Sequence, residues 1–351
     1  MNKSKGNILS RMRTAKHSVY QEFLCANPWL KAKISNGLEI CETWSTRYRK
    51  RSTNSFCFGD TESTECTSLD KNGKCEWAFR QIVAAFELGE LDQQRLHSMF
   101  LQATNGSGNE WRKINILHSS SLLCFLCFAT ADIMNNGIRI DINGVRKIFH
   151  VKRFEQPNNL SARSSTPSNI DVCLECVEPG NECILFLESK FTEYTSTSKL
   201  SSEYISPAVY KHHYAKIFNT PFFKESGMVF VDNVFRHGKP SLCIKSAQKH
   251  YLNGLKQIIS HWLGAQFEQN NGQFKGANVF LGEILLDFNR EDCSSGSMYF
   301  NDYEYIYSLT AQSLNSLAGN VQVLPHILSY HDIFSQLKLP PSVAQFYTIH
   351  A

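Results

Sequence analysis

Asp171 and the tripeptide Glu188-Ser-Lys190 are the residues whose types and spacing could do chemistry together. Side chains two apart on a strand share a face, so on a strand over Cys183–Phe191 the Glu188 and Lys190 side chains point the same way. The turn formers Glu178-Pro-Gly-Asn181 can fold that strand back on a strand over Ile170–Val177 and set Asp171 beside Glu188. Two carboxylates on one face make an all-oxygen site for a hard dication such as Mg2+. A lysine beside them can orient or deprotonate a water and offset charge developing on a phosphate ester. An acidic-x-Lys tripeptide arises roughly once by composition in a chain of this length, and Glu188-Ser-Lys190 is the one instance here. Two charges at the end of Cys-Ile-Leu-Phe-Leu are costly to bury without a purpose. The alternative reading is a salt bridge at the rim of the sheet.

The elements that must position these residues can be read from period and punctuation. Glu76 to about Thr104 reads as helix, Asn105–Asn109 as a break, and Ser119–Ser121 as N-caps of a buried helix through Leu122–Phe128, stopped by Asn135-Asn-Gly137. Short β-branched and aromatic runs follow at Ile138–Ile142, Val145–Phe154, Ile170–Val177 and Cys183–Phe191, with turns at Asn143-Gly144, Gln156–Asn159 and Glu178–Asn181. Glu203–Phe218 reads as helix and Met228–Val234 as strand. A helix over about Ser246–Gln269 carries Tyr251, Leu255, Ile258, Ile259 and Trp262 as one apolar stripe. Asn278–Phe288 and Val321–Leu328 read as strands and His331–Leu337 as a short helix. Residues 52–75 read as loop. The core order is helix, three strands, helix, strand, a mixed α/β fold.

The chain has 351 residues, 42% of them hydrophobic, and a formal charge of +4. That length suits two domains or one decorated one, and the composition excludes global disorder. No window holds the ~18 apolar residues of a membrane helix, and the first residues carry charge without an apolar segment, so no secretory signal and a cytoplasmic location are expected. Residues 1–56 hold eleven Lys/Arg and three Glu, a local +8. Within them Arg47-Tyr-Arg49-Lys50-Arg51 interleaves cations with an aromatic, as phosphate and base contacts would need; a solvated arm without ligand is the alternative. Of the twelve cysteines, Cys41, Cys57, Cys66 and Cys75 lack zinc-knuckle spacing, and Cys173 and Cys176 fall on opposite faces of a strand, so buried free thiols are expected.

Helix, strands, Asp171, Glu188-x-Lys190, helix and strand together resemble the PD-(D/E)XK nuclease superfamily. Three stretches resemble, more narrowly, a bacterial restriction endonuclease family: His118-Ser-Ser-Ser-Leu-Leu, Ile184-Leu-Phe-Leu-Glu-Ser-Lys-Phe-Thr-Glu193 and Tyr251-Leu-Asn-Gly-Leu-Lys-Gln-Ile-Ile-Ser-His-Trp-Leu-Gly264. They anchor residues 110–290. The resemblance implies a restriction-endonuclease-like α-β-β-β-α-β core over residues 111–351, preceded by a basic, mostly helical DNA-binding region over residues 1–110. It implies an endodeoxyribonuclease of restriction or defence in which Asp171 and Glu188 bind Mg2+, with Mn2+ as a substitute, and Lys190 assists the water. DNA is the expected partner, a homodimer is admissible, and no membrane is involved.

Supporting roles fall to Glu193, which completes an E-x-K-x-x-E pattern, and to Glu175, on the strand face of Asp171. Lys256 and Gln257, on the polar face of the 246–269 helix, would contact phosphate or steady the lysine. His118 would cap its helix and touch DNA. Solvated or structural residues would look the same at each of these positions. The pairs His212-His213 and His250/His261 show no spacing that suggests a metal site. Two other functions stay open: a non-catalytic nucleic-acid-binding protein on the same fold, and a zinc-binding interaction module over residues 41–75.

Overall fold

The computed structural model describes residues 8, 12, 27–44, 54–61, 63–105, 114–160, 167–180, 182–191, 202–205, 214–225, 228–236, 239–246, 252, 254–286 and 296–349. Asn27 opens the first helix by accepting the Leu30 amide on Oδ1 at 2.9 Å, and Pro28 follows where its missing N–H costs nothing. This helix, α1 (Pro28–Ser35), leads to an antiparallel pair, β1 (Ile40–Trp44) and β2 (Asn54–Phe58). Then come α2 (Thr64–Thr67), α3 (Lys71–Ala85) and α4 (Gln93–Thr104). The expected loop over 52–75 is therefore corrected. Its Ser63 and Asp70 are N-caps, accepting the amides of Cys66 and Gly73, and side chains that favour turns are the same ones that start helices. The single helix expected over 76–104 is two, broken where Glu87 takes a left-handed φ of 53° and Asp92 caps α4. Among the described residues of 1–110 the helices α1 to α4 predominate, as expected, with the β1–β2 pair added.

Next, α5 (Ser120–Asn135) is capped by Ser119 and ended by Asn136 in the left-handed region, as its punctuation predicts. Every residue from Ser121 to Asp132 is buried. Strands β3 (Ile138–Ile142), β4 (Val145–Asn158), β5 (Ser168–Cys176) and β6 (Cys183–Lys190) follow. Asn143 and Gly144 both have positive φ, the geometry a two-residue hairpin demands. No turn forms at Gln156–Asn159. Gln156 and Asn158 instead pair with Ile170 and Ser168 of β5, and that pairing overrides local turn chemistry.

The helix expected over 203–218 is also corrected. β7 (Ser202–Ile205) is a strand against β9, and among the described residues of that stretch only the single turn α6 (Ala215–Phe218) is helical, followed by α7 (Pro221–Glu225). β8 (Met228–Arg236) and β9 (Lys239–Ser246) complete a three-stranded sheet in the order β7-β9-β8. Because Ser246 ends a strand, the amphipathic helix starts later than expected: α8 (Leu255–Asn271) begins after Gly254, whose φ of 87° suits glycine. Then come β10 (Asn278–Leu285), α9 (Gly296–Asn315), β11 (Val321–Val323), β12 (Leu328–Ser329), α10 (Tyr330–Phe334) and α11 (Pro341–Phe346). α9 has no counterpart in the sequence reading, and the strand expected at 321–328 is two short pieces, both paired with β10.

The main sheet runs β11-β10-β6-β5-β4-β3, with β12 also on β10. β3 to β6 are antiparallel neighbours, while β10 lies parallel to β6. β6 is central and wholly buried, which is why it reads as one apolar run. Leu185 and Leu187 face the core built on α3, α4, α5, α10 and α11, whereas Ile184 and Phe186 face that of α8 and α9. Cys176 and Cys173 fall on these two sides respectively, as strand alternation predicts. The first core also crosses residue 110: Trp29, Phe58 and Phe86 pack edge-on or tilted around Phe346, and the Asn27 amide donates to the Phe346 carbonyl. Among the described residues no helix is long and apolar enough to cross a membrane.

Candidate active site

Val172 pairs with Leu187, so Asp171 and Glu188 stand one step further along the same antiparallel ladder. The Asp171 carboxylate reaches across to accept the Ser189 amide at 2.7 Å. On β4, Phe154 and Gln156 pair with Val172 and Ile170, which sets Glu155 beside Asp171; on β10, Glu283 pairs with Glu188. Four carboxylates thus form one row across four strands. Glu155 holds a left-handed φ of 49°, uncommon away from glycine and asparagine.

Glu188 and Lys190 point toward α8, each only 4% exposed. Lys190 Nζ lies 2.9 Å from Glu188 Oε1 and 2.7 Å from Gln257 Oε1. The Gln257 amide also donates to Glu188 Oε1. One turn further along α8, His261 is 2% exposed, with Nδ1 2.6 Å from Ser168 Oγ and Nε2 2.9 Å from Glu188 Oε2. That last approach is short enough for an ion pair, yet it misses hydrogen-bond direction, and both atoms are left without a hydrogen-bond partner. Gln257 is exposed and Asp171 half-buried, so the cluster opens to solvent at their end.

Burial pushes the Glu188 carboxyl up, but Lys190 and His261 outweigh it and hold the group down at about 2. Asp171 goes the other way. Burial first, then the nearby Glu188 and Glu155, raise it well above the ordinary carboxylate value, against the opposing pull of Lys190 and the Ser189 amide. Crowded carboxylates of which one resists ionisation are relieved by a cation. Asp171 and Glu188, neighbours on the ladder, are the two carboxylates a cation would take here, although with His261 they do not gather three donor atoms as closely as Glu39, Cys41 and Asp60 do.

The structure brings together Asp171, Glu188, Lys190 and Gln257. It does not bring Glu175, which pairs with Lys152 of β4 and, four residues along the strand, lies about 13 Å from Asp171; its expected supporting role is corrected. Lys256 is exposed on α8. His118 is half-buried and does not cap α5, since Ser119 accepts the Leu122 amide. Glu193 and the basic residues Arg47, Arg49, Lys50 and Arg51 lie outside the described residues. His261, Ser168, Glu155 and Glu283 were missed. The i, i+4 spacing of Gln257 and His261 was the available signal, because it sets both on one helix face.

The cysteine region forms no four-thiol site among the described residues. Cys57, Cys66 and Cys75 are buried free thiols whose ionisation burial disfavours, Cys57 being pushed up to about 12. Neutral buried thiols are poor metal ligands. Glu39, Cys41 and Asp60 do place donor atoms within 4.8 Å of one another at the edge of the β1–β2 pair. No family model, no curated protein and no solved structure matches the chain.

Proposed function

We propose that this protein is a divalent-metal-dependent phosphodiesterase that cleaves DNA, with a restriction-endonuclease-like core. The observation that carries the reading is the convergence of Asp171, Glu188 and Lys190 at one end of adjacent strands, with a charged Glu188–Lys190 pair buried against α8. The order α5, β4, β5, β6, α8, β10, with β10 parallel to β6, supports the α-β-β-β-α-β arrangement. Asp171 and Glu188 would hold the cation, which would supply positive charge for the phosphate and lower the pKa of a water. Gln257 and Glu188 fix the Lys190 ammonium, which orients the attacking water and meets the charge that develops on the phosphoryl oxygens. His261 and Gln257 hold the Glu188 carboxylate from α8, and Ser168 on β5 holds the His261 ring. DNA as substrate, a restriction or defence setting and a cytoplasmic location rest on the motif resemblance. The test is digestion of supercoiled plasmid with Mg2+ or Mn2+ and with chelator. Metal-dependent nicking that Glu188→Gln abolishes is expected; cleavage at the wild-type rate by that variant refutes the assignment.

A further inference from the structure

Cys176 and Cys183 stand directly opposite each other on the β5–β6 ladder, on either side of the turn that joins the strands. Direct partners on a ladder share a face, and both side chains lie in the core that holds Leu174 and Leu185. Each is 2% exposed, while Val177 and Glu182, their neighbours in the turn, are exposed. Both are thiols here. We propose that this pair is an oxidation site, at which glutathione disulfide converts the two thiols into a cross-strand disulfide that staples the β5–β6 hairpin.

The backbone already has the required spacing. Directly paired residues of an antiparallel ladder have Cα atoms about 4.5–5.5 Å apart, inside the about 4.4–6.8 Å that a disulfide spans. The thiols also act on each other: burial first, then the neighbouring Cys176, pushes the Cys183 thiol up to about 11. Exchange at neutral pH is therefore slow, since the thiolate is the species that attacks. One thiol gives up its proton and attacks a sulfur of glutathione disulfide, forming a mixed disulfide and expelling one glutathione thiolate. The other, deprotonated in turn, attacks the protein sulfur of that mixed disulfide and expels the second glutathione. The protein pair is oxidised, and glutathione disulfide is reduced to its thiols with the released protons. Other described cysteines are less well placed. Cys41 and Cys57 also pair across β1–β2, but the Cys57 thiol is turned to the Cys41 and Gly59 carbonyls. Cys173 faces the opposite core. The bridge closes the end of the hairpin away from Asp171 and Glu188 and fixes the register that sets them side by side. It stands whether or not that site cleaves DNA.

The experiment incubates the folded, reduced full chain with glutathione disulfide, quenches with acid and blocks the remaining thiols with N-ethylmaleimide under denaturing conditions. Digestion at glutamate then puts Cys173, Cys176 and Cys183 on separate peptides. The expected product is the Cys176 and Cys183 peptides joined, and parted again by reductant. Closing a loop of about eight residues should lower the unfolding constant in urea about 50-fold relative to the reduced protein. Cys176→Ser and Cys183→Ser should each lose the linkage and the added stability; should either variant fail to fold, the wild-type peptide map decides. The proposal is overturned if both cysteines carry maleimide or glutathione alone, if either is bridged to a third cysteine, or if the linkage forms only when oxidation is run in urea. Oxidised protein no more stable than reduced also overturns it, since a bridge that fits the native register restrains the unfolded chain without straining the folded one.

Discussion

Replacing Glu188 by Gln keeps shape and volume but removes the charge on which the buried cluster is balanced. Lys190, 4% exposed, would keep its ammonium with a neutral amide where a carboxylate oxygen stood at 2.9 Å. The size of the effect follows from the Glu188 carboxyl itself, held at about 2 in the folded protein against an ordinary value of 4.5. Each pKa unit is worth about 1.4 kcal/mol, so ionised Glu188 contributes about 3 kcal/mol, in line with the roughly 3–5 kcal/mol lost when one partner of a buried pair is removed. The group is depressed on folding, so its contribution is complete above the ordinary carboxylate value and is lost as pH falls toward 2. Urea unfolding of metal-free wild type and Glu188→Gln, at several pH values between 3 and 7, should therefore give two curves. They should lie about 3 kcal/mol apart at pH 7 and converge in acid. A constant gap across that range, or equal stability at pH 7, would refute the reasoning that Glu188 is an ionised, paired carboxylate.

Asp171 should show the opposite sign. Its raised carboxyl costs stability as pH climbs from the ordinary carboxylate range through the folded value, so Asp171→Asn should flatten the fall in melting temperature of the metal-free protein as pH rises above that ordinary range, and lose the rise on adding Mn2+; a steeper fall would contradict this. Lys190→Met should lose DNA cleavage while calorimetry still detects metal binding, since the ammonium serves the water and not the cation; retained wild-type turnover would assign that task to another group. Neutralising Arg47, Arg49, Lys50 and Arg51 together should weaken DNA binding at all sequences and lower the salt slope by about 0.9 per lost phosphate contact; an unchanged slope would make the basic stretch a bystander.

Asp171, Glu188 and Lys190 were legible because strand alternation and a short hairpin are local facts, carried by a few neighbouring residues. The cap of α5 at Ser119 and the Asn143-Gly144 hairpin were legible for the same reason. His261 was not. Its approach to Glu188 depends on where α8 crosses β6, a relation between elements more than seventy residues apart in sequence. The ladder of Glu155, Asp171, Glu188 and Glu283 likewise appears only once four strands have a register. Where local reading failed, ambiguity of residue type was the cause. Ser63, Asp70 and Asp92 serve turns and helix caps equally well, and Tyr204-Ile205 became strand only because β9 lies beside it.

The clasp between the two ends of the described chain has a consequence for biosynthesis. The Asn27 side chain is anchored on the Phe346 carbonyl, 319 residues later, and Trp29, Phe58 and Phe86 complete their packing only when Phe346 arrives. A ribosome adding roughly 5–20 residues per second needs roughly 15–60 s to cover that distance. For that interval these rings, which pack on one another, lack the cover that Phe346 provides, while the β4–β6 hairpins and α5 can already assemble. The first-made layer is therefore the last to be sealed, and it is the surface on which a chaperone would have most to hold during synthesis.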